Sequence, residues 1–345
     1  MMNGRNSEHF RGWEYLLFAA AAVLTLLLSV CVGSVRIPFR TTVQVIWNGI
    51  LGLPQPAGMA PAILLTSRLP RVLAVMLVGA SLALCGGAMQ GLLKNPLADG
   101  STLGVSSGAS LGAVVAIAFG VTVPKLPFAG TMVMAMVFAF CSLLIILGLA
   151  YRLDFSLSTN TIILIGVIFS MFASSIMSIL ITFSGEKLHS ITFWTMGSLS
   201  GSSYTNVLVL LSALVLFGSV ILMHARELNA FAVGEENARH VGVNVRRVKL
   251  ILLIAVSGLI GVCVSIGGTI GFVGLVTPHM VRLLVGPNHK RLLPASLFGG
   301  GIFLMLSDLI ARVLLNPKEL PIGVVTSIIG AVAFVFIYGS ARKGR

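Results

Sequence analysis

Long apolar runs separated by short polar stretches repeat along the whole chain. A helix rises about 1.5 Å per residue, so about 20 apolar residues cross the ~30 Å hydrocarbon core of a bilayer. The pattern therefore predicts ten membrane-spanning helices, of which the eighth is short and interrupted by glycine. Their expected ranges are about 14–34, 64–92, 103–121, 127–150, 159–182, 204–223, 248–267, 271–285, 292–315 and 321–340.

The composition supports a membrane protein. Hydrophobic residues make up 57% of the 345 residues, charged residues make up 10%, and the mean hydropathy is +1.02. A soluble protein of this length needs far more charge on its surface, and a membrane β-barrel would show short alternating segments. We therefore predict an all-α polytopic membrane protein. The first run resembles a signal peptide, but it is too long and lacks a clear cleavage site, so it is counted as the first span.

Cationic residues predict the orientation. The net charge of +13 comes from Lys and Arg scattered at segment ends, which fits contact with membrane lipid and does not form the basic patch of a nucleic-acid-binding protein. Ten spans place both termini on one side. With the termini inside, 15 cations fall in inner segments and 8 in outer segments, which favours cytoplasmic termini in a multi-pass protein of the cytoplasmic membrane. The longest cytoplasmic loop is then about 224–247.

Sequence motifs for covalent chemistry are not found. No G-x-x-x-x-G-K-[ST] phosphate loop occurs, so we expect no ATP hydrolysis by the chain, no catalytic residues and no cofactor. The four cysteines lie in or beside apolar runs without metal-ligand spacing, so we expect buried thiols and neither a disulfide framework nor a metal site. They are Cys31, Cys85, Cys141 and Cys263.

Two segments of the chain have a similar pattern of residues. Residues 71–96 and 250–278 each run from an apolar helix through Gly-Gly to a proline about ten residues later, and in the predicted topology they cross the membrane in opposite senses. Such a pair is typical of the inverted repeats of transporters. Chance similarity between glycine-rich apolar helices explains it equally well.

A compact charged helix is predicted within the longest loop, at "AVGEENARHVGV". Gly234 interrupts the chain, Glu235 and Glu236 fall in the first helical turn, Arg239 falls in the last, and Gly242 suits the position after the end. Acids first and bases last complement the helix dipole. The segment is too short and polar to span a membrane. It is either an ordinary solvated helix or a docking element for a cytoplasmic partner.

The chain resembles the permease subunits of ABC importers of the iron-siderophore and cobalamin class along essentially its whole length. The motifs that carry the resemblance are "ELNAFAVGEENARHVGVNV", "SRLPRVLAVMLVGASLALCGGAMQGLLKNPLADGSTLGVSSGAS", "FWTMGSLSG", "GFVGLVTPHMVRLL", "LPASLFGGGIFLMLSDLIAR" and "LPIGVVTSIIGA". This resemblance implies one permease domain over 1–345, with an inverted-repeat fold of ten helices.

The same resemblance implies the partners: a second, identical or different permease subunit, two cytoplasmic ABC ATPase subunits, and an extracytoplasmic substrate-binding lipoprotein. It also implies that the charged helix enters a cleft on the ATPase and transmits its closure to the membrane helices. The coupling residues would be Gly234, Glu235, Glu236, Ala238, Arg239 and Gly242.

Arg68 and Arg71 in "SRLPR" lie three residues apart and so share one helix face at the predicted outer end. Near a helix N-terminus two cations need an external acid or lipid headgroups as partners. The resemblance implies that both, together with Arg312, receive glutamates of the binding protein. Asp308, four residues before Arg312, offers an alternative partner for Arg312 along the same helix.

The resemblance also implies that the fifth and tenth helices line the translocation path, and that "SITFWTMGSLSG" forms a short helix over the outer gate, with Trp194 and Gly197. Hydroxyl groups recur on both path helices, and helix–helix hydrogen bonds explain them as well as a wetted path does. Trp194 also fits an interfacial anchor. The path residues are Ser170, Ser174, Ser178, Thr326 and Ser327.

The expected function is ATP-driven import, with ferric siderophores as the cargo and heme or cobalamin as the alternatives within the class. An ion-coupled secondary transporter needs carboxylates inside its helices, and only Asp308 is predicted there. An intramembrane enzyme needs a nucleophile–base pair or a metal cluster, and neither pattern occurs. His279 is isolated from other metal ligands in sequence, and a structural hydrogen bond suits it better than ligation.

Overall fold

The computed structural model describes residues 11–33, 35, 37–122, 129–155 and 158–343, and these residues form helices without any strand. In chain order the helices are α1 (Gly12–Cys31), α2 (Phe39–Leu51), α3 (Ala60–Leu92), α4 (Val105–Phe119), α5 (Ala129–Leu153), α6 (Thr159–Phe183), α7 (Leu188–Thr195), α8 (Tyr204–Met223), α9 (Ala225–Val233), α10 (Glu235–His240), α11 (Val245–Gly267), α12 (Val273–Val285), α13 (His289–Val313) and α14 (Ile322–Lys343).

Every predicted span coincides with a helix. Within the described ranges, seven helices are long and apolar enough to cross a membrane: α1, α3, α5, α6, α8, α11 and α13. The other three predicted spans correspond to α4, α12 and the first part of α14, which are apolar but shorter. The all-α polytopic fold is confirmed, while the count of ten crossings and the side of the termini stay predictions. The sequence pattern did not predict α2.

The core of the bundle is formed by α3 and α11, whose side chains are mostly buried, whereas α1, α5, α6 and α8 bury few of theirs. Glycines allow the close approach of α3 to its neighbours. A Cβ atom on Gly79 would overlap the carbonyl oxygen of Gly300 on α13, and one on Gly86 would overlap that of Gly274 on α12. The abundant glycine therefore serves close packing of membrane helices.

The two ends of the bundle are distinguished by the contacts of α3 and α13, which run in opposite directions. A Cβ atom on Gly91, near the end of α3, would overlap the ring of His289 at the start of α13. At the opposite end, Arg71 of α3 contacts Asp308 of α13. Following the predicted orientation, we call the end with His289 the inner end and the end with Arg71 the outer end.

Candidate functional site

The predicted charged helix is present at the inner end as α10. Gly234 precedes it with a φ of +137°, a conformation that favours glycine, and Gly242 follows it with a φ of +87°. The backbone N–H of Gly242 donates to Arg239 at 3.0 Å and that of Val243 donates to Ala238 at 2.9 Å, which satisfies carbonyls at the helix end. Ala238 is fully buried. The predicted bounds and terminating glycines are confirmed.

One acid of α10 is directed toward the bundle. Glu235 forms an ion pair of 2.8 Å with Lys249 of α11, whose side chain is only 1% exposed. Glu236, Arg239 and His240 are exposed. The sequence pattern predicted the same position, the first helical turn, for both glutamates. In the structure their surroundings differ: Glu235 attaches α10 to a core helix, whereas Glu236 is exposed at the surface.

The helix before α10 is attached to the start of α13. Phe231 is fully buried, which anchors α9 against the core. The side-chain amide of Asn229 donates to the side-chain oxygen of Asn288 at 2.8 Å. The side-chain oxygen of Asn229 accepts the backbone N–H of His289 at 2.8 Å. The Asn288 side chain also caps the first turn of α13. The predicted loop is thus an ordered pair of helices with contacts to α11 and α13.

At the outer end, buried Asp308 lies between two of the predicted docking arginines. Its Oδ1 is 2.9 Å from Nη2 of Arg71, and its Oδ2 is 2.9 Å from Nε of Arg312. The predicted pairing of Asp308 with Arg312 along one helix is confirmed. Arg71 also forms an ion pair of 2.7 Å with Glu319, a residue in the connection between α13 and α14 that sequence reasoning missed. The Glu319 side chain is 32% exposed, so it is the accessible charge of this cluster.

Arg68 and Arg312 bind the end of α1. Nη1 of Arg68 donates to the carbonyls of Val30 and Cys31, both at 3.2 Å, and Nη2 of Arg312 donates to that of Ser29 at 3.0 Å. The last carbonyls of a helix lack partners within the helix and carry partial negative charge, so two guanidinium groups stabilise this terminus. Both arginines are buried, as is Arg71. Their extension to lipid headgroups is therefore not observed.

The position of these arginines in α3 also differs from expectation. The helix begins at Ala60 and contains a π-helical stretch, Ile63–Arg68, so Arg68 and Arg71 lie two to three turns inside it. The unfavourable interaction of cations with a helix N-terminus therefore does not arise. The partners expected outside the chain are supplied by the protein itself, through Asp308, Glu319 and the carbonyls of α1.

The predicted path residues differ in exposure. Ser174 and Ser178 are exposed on α6 and Ser170 is half-buried, whereas Thr326 of α14 is fully buried and Ser327 is half-buried. All of their described hydroxyl hydrogen bonds are to carbonyls of the same helix, such as Ser170 to Gly166 and Ser178 to Ser174. One face of α6 is therefore exposed and carries hydroxyl groups. The assignment of these residues to the path stays a prediction.

The predicted gate residues lie where three elements meet. Gly197 has a φ of +76°, and a Cβ atom there would overlap the carbonyl of Thr269, just after α11. The carbonyl of Gly197 accepts the N–H of Ile322 at 3.1 Å, at the start of α14, while half-buried Trp194 packs on the main core. The segment after α7 is thus joined to the end of α11 and the start of α14, and the gate assignment stays a prediction.

A cavity of about 540 Å³ lies beside this junction and was not predicted from the sequence. Thr195 and Thr269 contribute to its wall on the gate side, and Met177 contributes from α6. The first residues of the short helices α4 and α12 also line it, and the interruption of these two regions by glycine was the available sequence signal. Its polar lining residues are Asp99, Ser106, Ser107, Ser110, Thr195 and Thr269.

The fold is an apolar helical bundle with a short charged helix attached at its inner end, and comparison with known proteins defines its class: a membrane-spanning permease subunit of an ABC importer. The chain belongs to the FecCD transport family, which matches residues 21–339. ABC permease YvrB of Bacillus subtilis (strain 168) is 39% identical over 348 residues, covering 100% of this chain and 96% of YvrB. The hemin transport system permease HmuU of Yersinia pestis is 35% identical over 351 residues, covering 100% of this chain and 99% of HmuU.

A solved structure agrees with the sequence relatives. A metal-chelate type ABC transporter in an inward-facing conformation superposes with a TM-score of 0.84 at 31% identity, covering 96% of this chain and all of that one. The chain is therefore a multi-pass transport subunit of the cytoplasmic membrane. Permeases of this kind work with a partner permease and with ATPase subunits, and the hydrolysis of ATP occurs in those ATPase subunits.

Proposed function

We propose that the chain translocates ferric siderophores across the cytoplasmic membrane, driven by two ATPase subunits that bind α10 and supplied by an extracytoplasmic binding lipoprotein. The observation that carries this proposal is the attachment of α10 to α11 through Glu235 and Lys249. A short helix fastened by its ends moves with the helices that hold it. Closure of the ATPases around α10 then changes the packing of the core.

The exposed side of α10 is the proposed contact with the ATPase. Glu236, Arg239 and His240 present both charge signs on about two helical turns, next to the glycines that end the helix. Glu235, Ala238 and the two glycines Gly234 and Gly242 act by holding α10 in place. This division gives the six predicted coupling residues two different tasks.

The outer cluster is the proposed contact with the binding protein. Arg71, Asp308, Arg312 and Glu319, together with Arg68, carry three positive and two negative charges in a compact group at the end of α3 and α13. Its net positive charge favours acidic side chains on the partner. Arg71 is the arginine whose second ion pair, with Glu319, reaches the surface, so it is the group that a partner carboxylate contacts most readily.

A dimer with an identical or a related permease places the open surface of α6 at the centre of the complex. This surface carries Ser174 and Ser178 beside large apolar side chains such as Phe172 and Ile179. A path lined mostly by apolar side chains makes few strong contacts with the cargo, and this weak binding allows the cargo to pass through. Trp194 and Gly197, at the junction of α7, α11 and α14, form the proposed outer gate.

Two observations support a ferric chelate as cargo: the resemblance of the motifs, and the similarity to a metal-chelate type transporter. Heme is the second candidate, because HmuU is a hemin permease. The test is uptake into proteoliposomes that contain this chain together with its ATPase and binding-protein partners. Ferrichrome and heme labelled with ⁵⁵Fe, and cobalamin labelled with ⁵⁷Co, are supplied outside and ATP inside.

We expect ATP-dependent accumulation of the ferric siderophore. Uptake of heme or cobalamin alone contradicts the cargo and leaves the transport mechanism intact. Uptake without ATP but with an imposed ion gradient contradicts the mechanism itself. The buried acids of the described residues argue against ion coupling, since Glu14 is paired with Arg291 at 2.5 Å and Asp308 with two arginines.

A further inference from the structure

The helix α2 is distinct from the membrane-spanning helices. It has 13 residues, from Phe39 to Leu51, and so is about 20 Å long, too short for a hydrocarbon core of ~30 Å. Pro38 precedes it, and Gly52 ends it in the left-handed conformation. It follows the outer end of α1 by seven residues, since α1 ends at Cys31.

One face of α2 packs on the protein at the outer end of α3. Thr42 and Val45 are buried, and a Cβ atom on Gly49 would lie 3.5 Å from the side chain of Leu65. Leu65 belongs to the π-helical stretch of α3 that also contains Arg68. This contact fixes α2 beside the outer end of a membrane-spanning helix.

A second face of α2 is apolar and exposed. Phe39, Val43, Trp47 and Ile50 recur at intervals of four, four and three residues and therefore form one stripe along the helix. Each of these side chains is at least 45% exposed. A stripe of this kind on a water-facing surface would be unfavourable.

The third face is polar and adjoins the stripe. Thr41, Gln44 and Asn48 lie along it, and exposed Arg40 and Trp47, seven residues apart, share the boundary between the polar and apolar faces. Tryptophan and arginine at such a boundary are typical of the level of lipid headgroups, where an aromatic ring or alkyl chain is apolar and its polar end contacts phosphate or water.

We propose that α2 is an interfacial helix that binds the outer leaflet of the membrane, with Phe39, Val43 and Ile50 among the acyl chains and with Trp47 and Arg40 at the headgroup phosphates. Membrane-surface helices of this type place their apolar face about 5–10 Å into the boundary between headgroups and chains. The partner is phospholipid, and the proposal is independent of the cargo and of the subunit contacts proposed above.

The surroundings of α2 favour lipid over a protein partner. Leu28 of α1, and Val32 and Val35 in the connection from α1 to α2, are exposed, so apolar exposed residues continue along the chain from a largely exposed membrane helix to the stripe. An extracytoplasmic binding protein associates with the permease and leaves it during transport, and each departure would return the stripe to water. Lipid covers it throughout the cycle.

The experiment uses the fluorescence of Trp47 in the full-length chain. The variants Trp13→Phe and Trp194→Phe are combined so that Trp47 is the sole tryptophan, and the protein is placed in nanodiscs of phosphatidylglycerol and phosphatidylcholine. The acyl chains carry bromine near the headgroup in one sample and near the chain end in another. The matched control moves the tryptophan to the polar face with Gln44→Trp in a Trp47→Phe background.

We expect the shallow bromine label to quench Trp47 at least about twofold more strongly than the deep label, because the helix lies near the headgroups. Aqueous iodide should quench the Gln44→Trp control more strongly than Trp47. Strong iodide quenching of Trp47 without an effect of bromolipid overturns the proposal. Protection from both quenchers also overturns it, since protein then covers the stripe.

A second comparison removes the dependence on the combined variant. The natural chain and the single variant Trp47→Phe are measured in the same nanodiscs, and their difference is the signal of Trp47. We expect this difference signal to be quenched by the shallow bromolipid. A difference signal that responds to iodide alone overturns the proposal.

Discussion

Lys249 and Glu235 join the inner helix α10 to the core helix α11 through an ion pair of 2.8 Å. The lysine is almost completely buried, so its charge has left water and depends on contacts inside the protein. Through this ion pair the short surface helix α10 is held against α11. The pair also explains why a charged residue occurs near the start of an apolar helix.

The first prediction concerns this pair. Glu235→Gln removes the carboxylate that pairs with a buried ammonium, which costs about 1–3 kcal/mol because the Glu235 side chain is itself 27% exposed. We expect the complex to keep hydrolysing ATP while its transport per ATP falls at least about tenfold, because α10 then moves without α11. Simultaneous measurement of ATPase activity and uptake in proteoliposomes tests this.

Two further variants serve as controls for the pair. Glu236→Gln, on the exposed side of α10, should change the affinity for the ATPase and leave the ratio of transport to hydrolysis nearly unchanged. The charge exchange Glu235→Lys with Lys249→Glu should recover part of the coupling. Equal uncoupling by Glu235→Gln and Glu236→Gln would contradict the division of tasks.

The sequence predicted helices better than it predicted partners. All ten apolar runs became helices, and the glycines around α10 ended it as expected, because hydrophobic periodicity and left-handed caps are local properties of a chain. The contact of Arg71 with Glu319 joins residues 248 positions apart and cannot be recognised from local sequence. The amphipathic pattern of α2 was readable in principle, but its 13 residues fell below the length of a span.

A second prediction separates the two roles of Arg68. In the structure its guanidinium group caps the end of α1 through the carbonyls of Val30 and Cys31. Arg68→Ala should therefore lower the free energy of unfolding of the free chain by about 2–3 kcal/mol, since hydrogen bonds to charged groups contribute about 1.5–3 kcal/mol. Thermal unfolding in nanodiscs, without any binding protein, measures this effect.

Arg226→Ala is the matched control for that measurement, because Arg226 is exposed on α9. We expect it to change the unfolding temperature far less than Arg68→Ala. An Arg68→Ala chain as stable as the natural one, but deficient in binding-protein contact, would show that Arg68 acts in docking and that capping of α1 is unimportant.

A third prediction concerns Glu319, the accessible acid of the outer cluster. It pairs with Arg71 at 2.7 Å and so competes with any carboxylate that approaches from outside. Glu319→Gln should raise the affinity for an acidic binding protein about fivefold, an effect of about 1 kcal/mol that weakens with added salt. Binding of the purified binding protein to the chain in nanodiscs, measured at low and high salt, tests this.

The control is Glu186→Gln, which removes another exposed acid at the predicted outer side that is not one of the ion-paired residues of this cluster. It should leave the affinity nearly unchanged. A loss of affinity in Glu319→Gln would mean that Glu319 holds Arg71 in its docking position and does not compete with the partner.

The last prediction tests the close crossing of α3 and α13, which connect the outer cluster to the inner end, where α9 is attached to α13. A Cβ atom on Gly300 would overlap the backbone of Gly79 and the side chain of Ala83, and backbone cannot move aside as a flexible side chain can. Gly300→Ala should therefore lower the free energy of unfolding by about 2–3 kcal/mol. Gly148→Ala in α5, where a new Cβ meets nothing within 4 Å, should be neutral or stabilise the helix by up to about 1 kcal/mol. Thermal unfolding of both variants in the same nanodiscs compares them directly, and equal stability would show that α3 and α13 do not cross through these glycines.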